Sequence, residues 1–546
     1  MYQLINNLPE LPRDKTLFID TETTSLYGDV VLLQLYQEDL QDVLIVNTKN
    51  IPKDIILQYL KTFKHIVGYN LLYDWEVLGA TYDDVKEKNF YDDLYLAAKI
   101  MFYEQESFGL YDILNNVLRL DIRIDKKKMQ KQGFGGLFFT KEQLEYASTD
   151  VLYLPKLYRA ILNIDSKFFT HNRVYRMDLF VSKMMLDVHR VGLKVNKQKL
   201  YKRKTELENR LKAFEFSFNP LSPQQVAKVL NTPKADKEIL QDLAYKGNKI
   251  AKQILEYRKT AKLLNFIEKF NKDRVYGKFN VAGAKSGRMT CSNENIQQIP
   301  RELRDIFGFT EDEDKVYIDA DFPQIELRLA GLIWQEENMI KAFKEGIDLH
   351  KYTASIIYNK DMDAVNKEER QISKSANFGL LYGMSGKTFA KYVYVNSGIA
   401  LSESEGEYIK HKWLEAYPLI ARKHMQVKNV LYSSRVYEGT TILGRRYRTQ
   451  SFNEALNLQI QGSGAELLKQ TLINLKLKYP SLSIANSIHD EIIIECYKDE
   501  AEDIAKVLKE EMENAWDFIC DKAKIPISYF KLEVDMPDMI KSIAKS

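Results

Sequence analysis

The hydrophobic period changes along this chain, and that change constrains its fold more than any other feature. Near the N-terminus, LFID, VVLLQLYQ and DVLIVN are short β-rich runs separated by turn residues. Helical spacing follows from about Ile55 to Leu60 and from Glu142 to Leu162. From Val181 to Glu268, Lys, Leu and Glu recur at helical spacing, as in LYKRKTELENRLKAF and KQILEYRKTAKLLNFIEKF. Strand signals return at KVYIDADF, and helices dominate from Ile325 to about Val430. The segment SIANSIHDEIIIEC then has a hairpin pattern, in a tail expected to pack with the strand at 315–323. At 546 residues the chain exceeds what one core supports. Three or four compact units are expected, the first an α/β domain ending near Asp165.

Composition excludes several classes. With 45% apolar and 28% charged residues the chain is neither disordered nor fibrous. No apolar run approaches the roughly 18 residues that span a bilayer, and the opening MYQLINNLPELPRDK has acids and prolines where a signal peptide needs an apolar stretch. An intracellular protein with no membrane partner is expected. Cys291, Cys496 and Cys520 are scattered without CxxC spacing, so neither a zinc site nor a disulfide framework is implied. Charge is uneven: residues 1–165 carry 18 Lys and Arg against 25 Asp and Glu, a net −7, and the remainder carries 61 against 51, a net +10. An acidic pocket in the first region suits divalent cations, and a cationic surface in the second suits phosphates.

Two patterns carry chemistry. In FIDTET, Asp20 and Glu22 stand two apart on a predicted strand and therefore face one side. Asp74 lies in Asn70-Leu-Leu-Tyr-Asp74 at a helix start, and Tyr146 and Asp150 are four apart on one helical face. These acids can converge on a divalent cation, whereas Asp92 and Asp93 are explained as an acidic helix start. The second pattern is Arg370-x3-Lys374-x3-Phe378-x3-Tyr382-Gly383, whose members drift only about 40° per step around a helix. One stripe thus offers a planar guanidinium and an ammonium to a triphosphate and two rings to a base, and Gly383 fits a helix stop.

In this order, the segments of residues 1–165 resemble the three motifs of the tyrosine-bearing DEDD exonucleases. The resemblance implies an RNase H-like fold in which Asp20, Glu22, Asp74 and Asp150 hold two Mg²⁺ or Mn²⁺ ions and Tyr146 orients the attacking water. The stripe resembles motif B of the family A DNA polymerases, the bacterial polymerase I type. Motif A typically reads Asp-Tyr-Ser-Gln-Ile-Glu-Leu-Arg, and here Asp321-Phe-Pro-Gln-Ile-Glu-Leu-Arg328 follows a strand. Motif C is His489-Asp490-Glu491 in the hairpin. The likeness runs from about Asp178 to the C-terminus and includes Ser286-Gly287-Arg288, Asn295 to Pro300, Asp348-Leu349-His350 and Asn457 to Gly462.

It implies a right-handed polymerase domain over 166–546, with a thumb at 178–280, a palm from 281–330 and 439–546, and fingers at 331–438. Asp321 and Asp490, with Glu491 beside them, would form the catalytic centre with two Mg²⁺. Arg370, Lys374, Phe378, Tyr382, Glu326, Gln324 and His350 would bind the dNTP, with Glu326 excluding a ribose 2′-OH. Arg288, Asn457, Gln461 and His489 would contact primer-template DNA, and the exonuclease would take a single-stranded 3′ end. The expected protein is a proofreading DNA polymerase of replication, monomeric, cytoplasmic in a bacterial cell or a phage-infected host, and without a 5′ nuclease because nineteen residues precede Asp20. An organelle is disfavoured by the N-terminal composition.

Departures from the family pattern are Pro323 for serine, Gln298 for asparagine, Ser286 for threonine, and an added Asp319 to which a structural role is assigned. Two other readings stay open on sequence: an enzyme in which only the exonuclease works, opposed by the intact Asp321, Asp490, Arg370 and Lys374, and a single-subunit RNA polymerase, opposed by Glu326 and the exonuclease motifs.

Overall fold

The computed structural model describes every residue except 1, 88–89, 125–127, 130–131, 137, 527–529, 541–542 and 544–546. The chain divides into two compact units. The first comprises Met1–Arg190, Phe279–Thr290 and Gly444–Tyr447, and the second comprises Val191–Lys278, Cys291–Leu443 and Arg448–Ser546. Both mix helices and strands, as the changing hydrophobic period requires.

The first unit is built on a six-stranded sheet of β1 (Tyr2–Ile5), β2 (Leu17–Thr23), β3 (Val30–Tyr36), β4 (Val43–Asn47), β5 (Ile66–Gly68) and β6 (Tyr91–Asp93), in the order β1-β4-β3-β2-β5-β6. The β2–β3 and β3–β4 pairs are antiparallel and the other three are parallel. Leu17, Ile19, Leu32, Leu33 and Leu35 are fully buried. The strands therefore read as near-continuous apolar runs rather than as an alternation, as expected of a sheet covered on both faces.

Helices α1 (Leu71–Val77), α2 (Leu94–Met101), α3 (Leu110–Leu118) and α4 (Lys141–Leu152) follow. A capping box between Thr140 and Gln143 starts α4, which packs across β2, β3 and β4. The stretch 444–447 joins this unit through a buried ion pair, Arg445 Nη2 to Asp178 Oδ2 at 2.5 Å, and 279–290 through bonds such as Asn280 Nδ2 to Tyr95 Oη at 2.8 Å. Gly287, at φ +83°, makes room for the ion pair, since a Cβ there would overlap the Arg445 guanidinium.

The second unit holds a four-stranded antiparallel sheet of β7 (Lys315–Asp321), β8 (Ser483–Ile488), β9 (Glu491–Tyr497) and β10 (Asp538–Ile540), in the order β8-β9-β7-β10. The tail thus pairs with the 315–321 strand, as its pattern predicts. Ile492, Ile493 and Ile494 of β9 are fully buried, each contributing roughly 1.5–3 kcal/mol of apolar burial.

Before the sheet come α5 (Lys197–Lys212) and α6 (Lys249–Lys269), which pack together, and a small core of Val226, Ala235, Leu240, Ala251 and Ile254. A helical array contains α7 (Ile325–Trp334), α8 (Leu349–Tyr358), α9 (Lys367–Gly379) and α10 (Glu403–Ala416), the last three mutually packed. The 27-residue α11 (Phe452–Lys478) packs on α12 (Ala501–Lys522), which also covers β7. Among the described residues no helix is long and apolar enough to cross a membrane.

Candidate active sites

Strand alternation explains the first site. Asp20 and Glu22 share one face of β2, and α4 brings Asp150 to them, so that one carboxylate oxygen from each lies within 4.8 Å of the others. Among the described residues no other group of three or more His, Cys, Asp or Glu side chains comes this close. A compact set of hard oxygen donors fits a divalent cation such as Mg²⁺ or Mn²⁺.

Tyr146 stands one turn before Asp150 on α4 and is mostly buried. Burial, then the Asp150, Glu22 and Asp20 carboxylates, pushes its phenol far up, so the hydroxyl keeps its proton. A second tyrosine completes the group: the Tyr111 hydroxyl on α3 donates to Asp150 Oδ1 at 2.6 Å, and its ring centroid lies 6.2 Å from that of Tyr146. Tyr111 was not legible in the sequence, since nothing in its spacing ties it to Asp150.

Asp74 is not among the three carboxylates that come within 4.8 Å of one another. Its carboxylate accepts the Thr21 hydroxyl at 2.6 Å, and Thr21 points away from Asp20 and Glu22 because it is the residue between them. Burial, opposed by that hydrogen bond and reinforced by Asp93, raises Asp74 to about 7. Asp93 has the helix-start role that its position suggests: it accepts Asn70 and Leu71 backbone N–H groups at α1 (2.9 and 3.0 Å) and Tyr95 N–H at α2 (2.9 Å). Asp92 is bound to Tyr175 (2.8 Å) and His65 (3.0 Å).

The second site is set by strand register. Asp321, the last residue of β7, pairs with Glu491, the first of β9. Phe322 N–H donates to the Asp490 carbonyl at 3.2 Å, so Asp321 and Asp490 sit at adjacent strand ends. His489 has φ +56° in the turn that joins β8 to β9. The Glu491 carboxylate is buried and receives a two-pronged bond from Arg304, both contacts at 3.0 Å. Gln324, at φ +51°, caps α7, whose first turn carries Glu326.

The cationic stripe lies largely on α9. Arg370 Nε is 2.8 Å from Asp348 Oδ2, and Asp348 caps α8 through the His350 and Lys351 N–H groups. Lys374 is exposed. Phe378 lies 6.0 Å from the His350 ring, centroid to centroid. The α-helix ends at Gly379, and Tyr382 follows in a 3-10 turn closed by Gly383 at φ +79°. The stripe still reaches the sheet end, because Tyr382 Oη donates to Glu326 Oε2 at 2.5 Å.

Known proteins resemble the chain in sequence and in fold. Residues 191–534 match the family model described as DNA polymerase family A, and residues 2–164 match one described as 3'-5' exonuclease. The chain belongs to DNA polymerase family A. It is 31% identical to DNA polymerase I of Aquifex aeolicus over 95% of this chain and 96% of that protein. It is 26% identical to DNA polymerase I of Caldicellulosiruptor bescii over 88% of this chain, which spans 58% of that protein. Among solved structures, the POL domain of Pol1 from M. smegmatis, in complex with DNA primer-template and dNTP, superposes with a TM-score of 0.78 and 19% identity over 99% of both chains.

The remaining family positions fall as follows. Arg288 belongs to the 279–290 stretch of the first unit. Asn457 and Gln461 are one turn apart on α11, and Asn457 Oδ1 is buried with no hydrogen-bond partner among the described residues. Pro323 precedes the cap of α7, and its carbonyl accepts Arg328 Nε at 3.0 Å. Arg304, like Tyr111, had no sequence signal, because it sits in a short 3-10 turn and meets Glu491 only through the tertiary fold.

Proposed function

We propose that the second unit adds dNTPs to a primer 3′-OH on a DNA template, and that the first unit removes mismatched 3′ ends. The observation that carries this reading is the meeting of Asp321 and Asp490 at paired strand ends, beside a helix whose Glu326 is hydrogen-bonded to the last member of the cationic stripe. The M. smegmatis neighbour's primer-template and dNTP support the same substrates here.

Asp321 and Asp490 would hold Mg²⁺, as would Asp20, Glu22 and Asp150 in the first unit, with Asp74 supporting that strand through Thr21. Bound divalent ions would lower the pKa of the attacking hydroxyl or water and neutralise charge on the phosphates. The chain's own residues do the positioning. Arg370 grips the triphosphate as a planar fork and Lys374 as a point charge. Phe378 and Tyr382 flank the nucleoside, with Gln324 beside it, and His350 faces the triphosphate. The Tyr382 hydroxyl fixes the Glu326 carboxylate, which fills the space of a ribose 2′-OH. Arg288, Asn457, Gln461 and His489 contact primer-template, and Glu491 is held by Arg304 as a support of the metal-binding turn. In the exonuclease, Tyr146 orients the attacking water at the 3′ end.

A crossed pair of variants tests the assignment. Asp490→Ala should lower primer extension by several orders of magnitude and leave single-strand degradation near normal, because it removes a ligand of one metal site only. Asp20→Ala with Glu22→Ala should do the reverse. Extension by the first variant within about tenfold of the parent protein would refute the polymerase assignment, and parallel reactions with dNTPs and rNTPs test the role of Glu326.

A further inference from the structure

A chain of hydrogen bonds behind the stripe determines which nitrogen of His350 carries its proton. It begins at Trp413 on α10, whose fully buried indole N–H can only donate. Its acceptor is Asn377 Oδ1 on α9, at 2.8 Å. The indole therefore fixes the amide orientation, and the Asn377 NH₂ points the other way, to His350 Nδ1 and Thr353 Oγ1, both at 3.0 Å. Thr353 Oγ1 lies 2.7 Å from the Leu349 carbonyl, 3.1 Å from Asn377 Oδ1 and 2.6 Å from Tyr417 Oη, and whichever oxygen takes its one proton, the Asn377 amide keeps the orientation that the Trp413 donor sets. With an N–H aimed at it, His350 Nδ1 must be a lone pair. A neutral imidazole then has its proton on Nε2.

The surroundings keep the ring neutral. Burial lowers His350 to about 4, and among its charged neighbours Asp348 opposes this while Arg370 and Lys374 on α9 add to it. From α10 and its C-terminal end come the Trp413 indole and the phenol of Tyr417, which burial holds protonated.

We propose that Asn377 is a positioning residue for triphosphate binding, holding His350 as the neutral Nε2–H tautomer so that the ring donates a hydrogen bond beside Arg370 and Lys374. This rests on the reading of the stripe as the triphosphate site. An uncharged donor gives the anion a bond whose strength does not change across pH 6–9, the range in which an ordinary histidine would lose part of its charge.

The test uses the full-length protein. With ¹⁵N-labelled histidine, the His350 signals, assigned by their loss in His350→Gln, should show a lone-pair Nδ1 and a protonated Nε2 from pH 6 to 9. A protonated Nδ1 overturns the inference. Asn377→Asp keeps an acceptor for Trp413 but turns an acceptor toward Nδ1, which must then carry a proton. Nε2 is left bare unless the ring is charged, and the new carboxylate raises the ring's pKa.

Binding of dATP is then measured on a dideoxy-terminated primer opposite thymine, in an Asp20→Ala, Glu22→Ala background. The Kd of that background protein should be flat from pH 6 to 9. Asn377→Asp should bind normally at pH 6 and about ten- to a hundred-fold more weakly at pH 9, as the donor is lost when pH rises through the raised pKa. Adding His350→Gln should abolish that dependence. A flat Asn377→Asp profile, or one that persists without His350, overturns the inference. If Arg370→Ala and Lys374→Ala leave dATP affinity unchanged, the triphosphate reading falls with it, whereas if they weaken binding and Asn377→Asp stays flat, only the role of Asn377 falls. Should Asn377→Asp fail to fold, Trp413→Phe releases the amide and should give a tautomer mixture at His350. Unchanged shifts there would also overturn the inference.

Discussion

In the first unit, carboxylates from Asp20, Glu22 and Asp150 crowd within 4.8 Å of one another and lean on the Tyr111 and Tyr146 hydroxyls. In the second unit, acids near the catalytic strands are matched to cations of the chain itself. Arg304 holds Glu491, Arg274 and Lys315 both reach Glu495 at 2.7 Å, and Arg370 holds Asp348. The difference teaches where each site gets its charge balance. Three anions at this spacing repel strongly in a partly buried setting and are stabilised by an ion from solution. In the second unit, cations of the chain itself balance Glu491 and Glu495 on the sheet, and the proposed metal ligands are Asp321 and Asp490.

The largest effect expected from this contrast follows from removing Arg304. Its side chain is 12% exposed and that of Glu491 is 5% exposed, so Arg304→Met leaves a buried carboxylate uncompensated. Losing one partner of such a pair costs about 3–5 kcal/mol, and replacing both with apolar residues is often near neutral. Urea unfolding followed by hydrogen exchange at β9 amides should show that loss in Arg304→Met and recovery of most of it when Glu491→Leu is added. A loss below about 1 kcal/mol would mean that the pair does not carry the charge balance of this sheet.

Divalent ions should stabilise the first unit more than the second, because only there does metal binding also relieve repulsion among clustered carboxylates. At about a hundred times its Kd, Mg²⁺ or Mn²⁺ should stabilise the first unit by roughly 2.7 kcal/mol, read as slower exchange in β2 and α4. Asp20→Asn with Glu22→Gln should abolish that response and, without metal, should leave the first unit more stable than the parent, because the repulsion is gone. Equal metal stabilisation of both units would break the comparison.

Local patterns exposed much of this in advance. The two-residue spacing of Asp20 and Glu22 requires a shared strand face, the apolar runs around His489 and Asp490 require a hairpin, and the four-residue repeat from Arg370 requires a stripe, although the α-helix stops at Gly379 and Tyr382 reaches Glu326 from a 3-10 turn. What spacing does not encode is contact across the fold. Tyr111 with Asp150, Arg304 with Glu491, and Trp413 with Asn377 join distant segments, and no local rule marks them. Asp74 lies between these cases: its motif is visible, whereas its hydrogen bond from Thr21 is not. Similarly, 279–290 and 444–447 join the first unit through side chains such as Asn280, Arg445 and Asp178, not through any change in composition.

The smallest expected effect separates the two tyrosines of the acid cluster. Tyr111 donates to Asp150 from a different helix, so its hydroxyl fixes the carboxylate's orientation before any ion arrives. Tyr146 shares α4 with Asp150 and is assigned to the attacking water. Tyr111→Phe removes a bond to a charged group without opening a cavity, a loss of about 1.5–3 kcal/mol at most and less where water can replace it. Its cost should therefore appear as a rise of about tenfold in the metal concentration needed for half-maximal digestion of single-stranded DNA, with the rate at saturating metal nearly restored. Tyr146→Phe should chiefly lower the saturated rate, with a smaller shift of the metal midpoint than Tyr111→Phe, since its hydroxyl also bonds Asp150. Primer extension should be unchanged in both variants, because neither tyrosine belongs to the second unit. If Tyr111→Phe lowers the saturated rate and does not shift the midpoint, Tyr111 works on the substrate, and the cluster has two tyrosines in the reaction instead of one that builds the metal site and one that uses it.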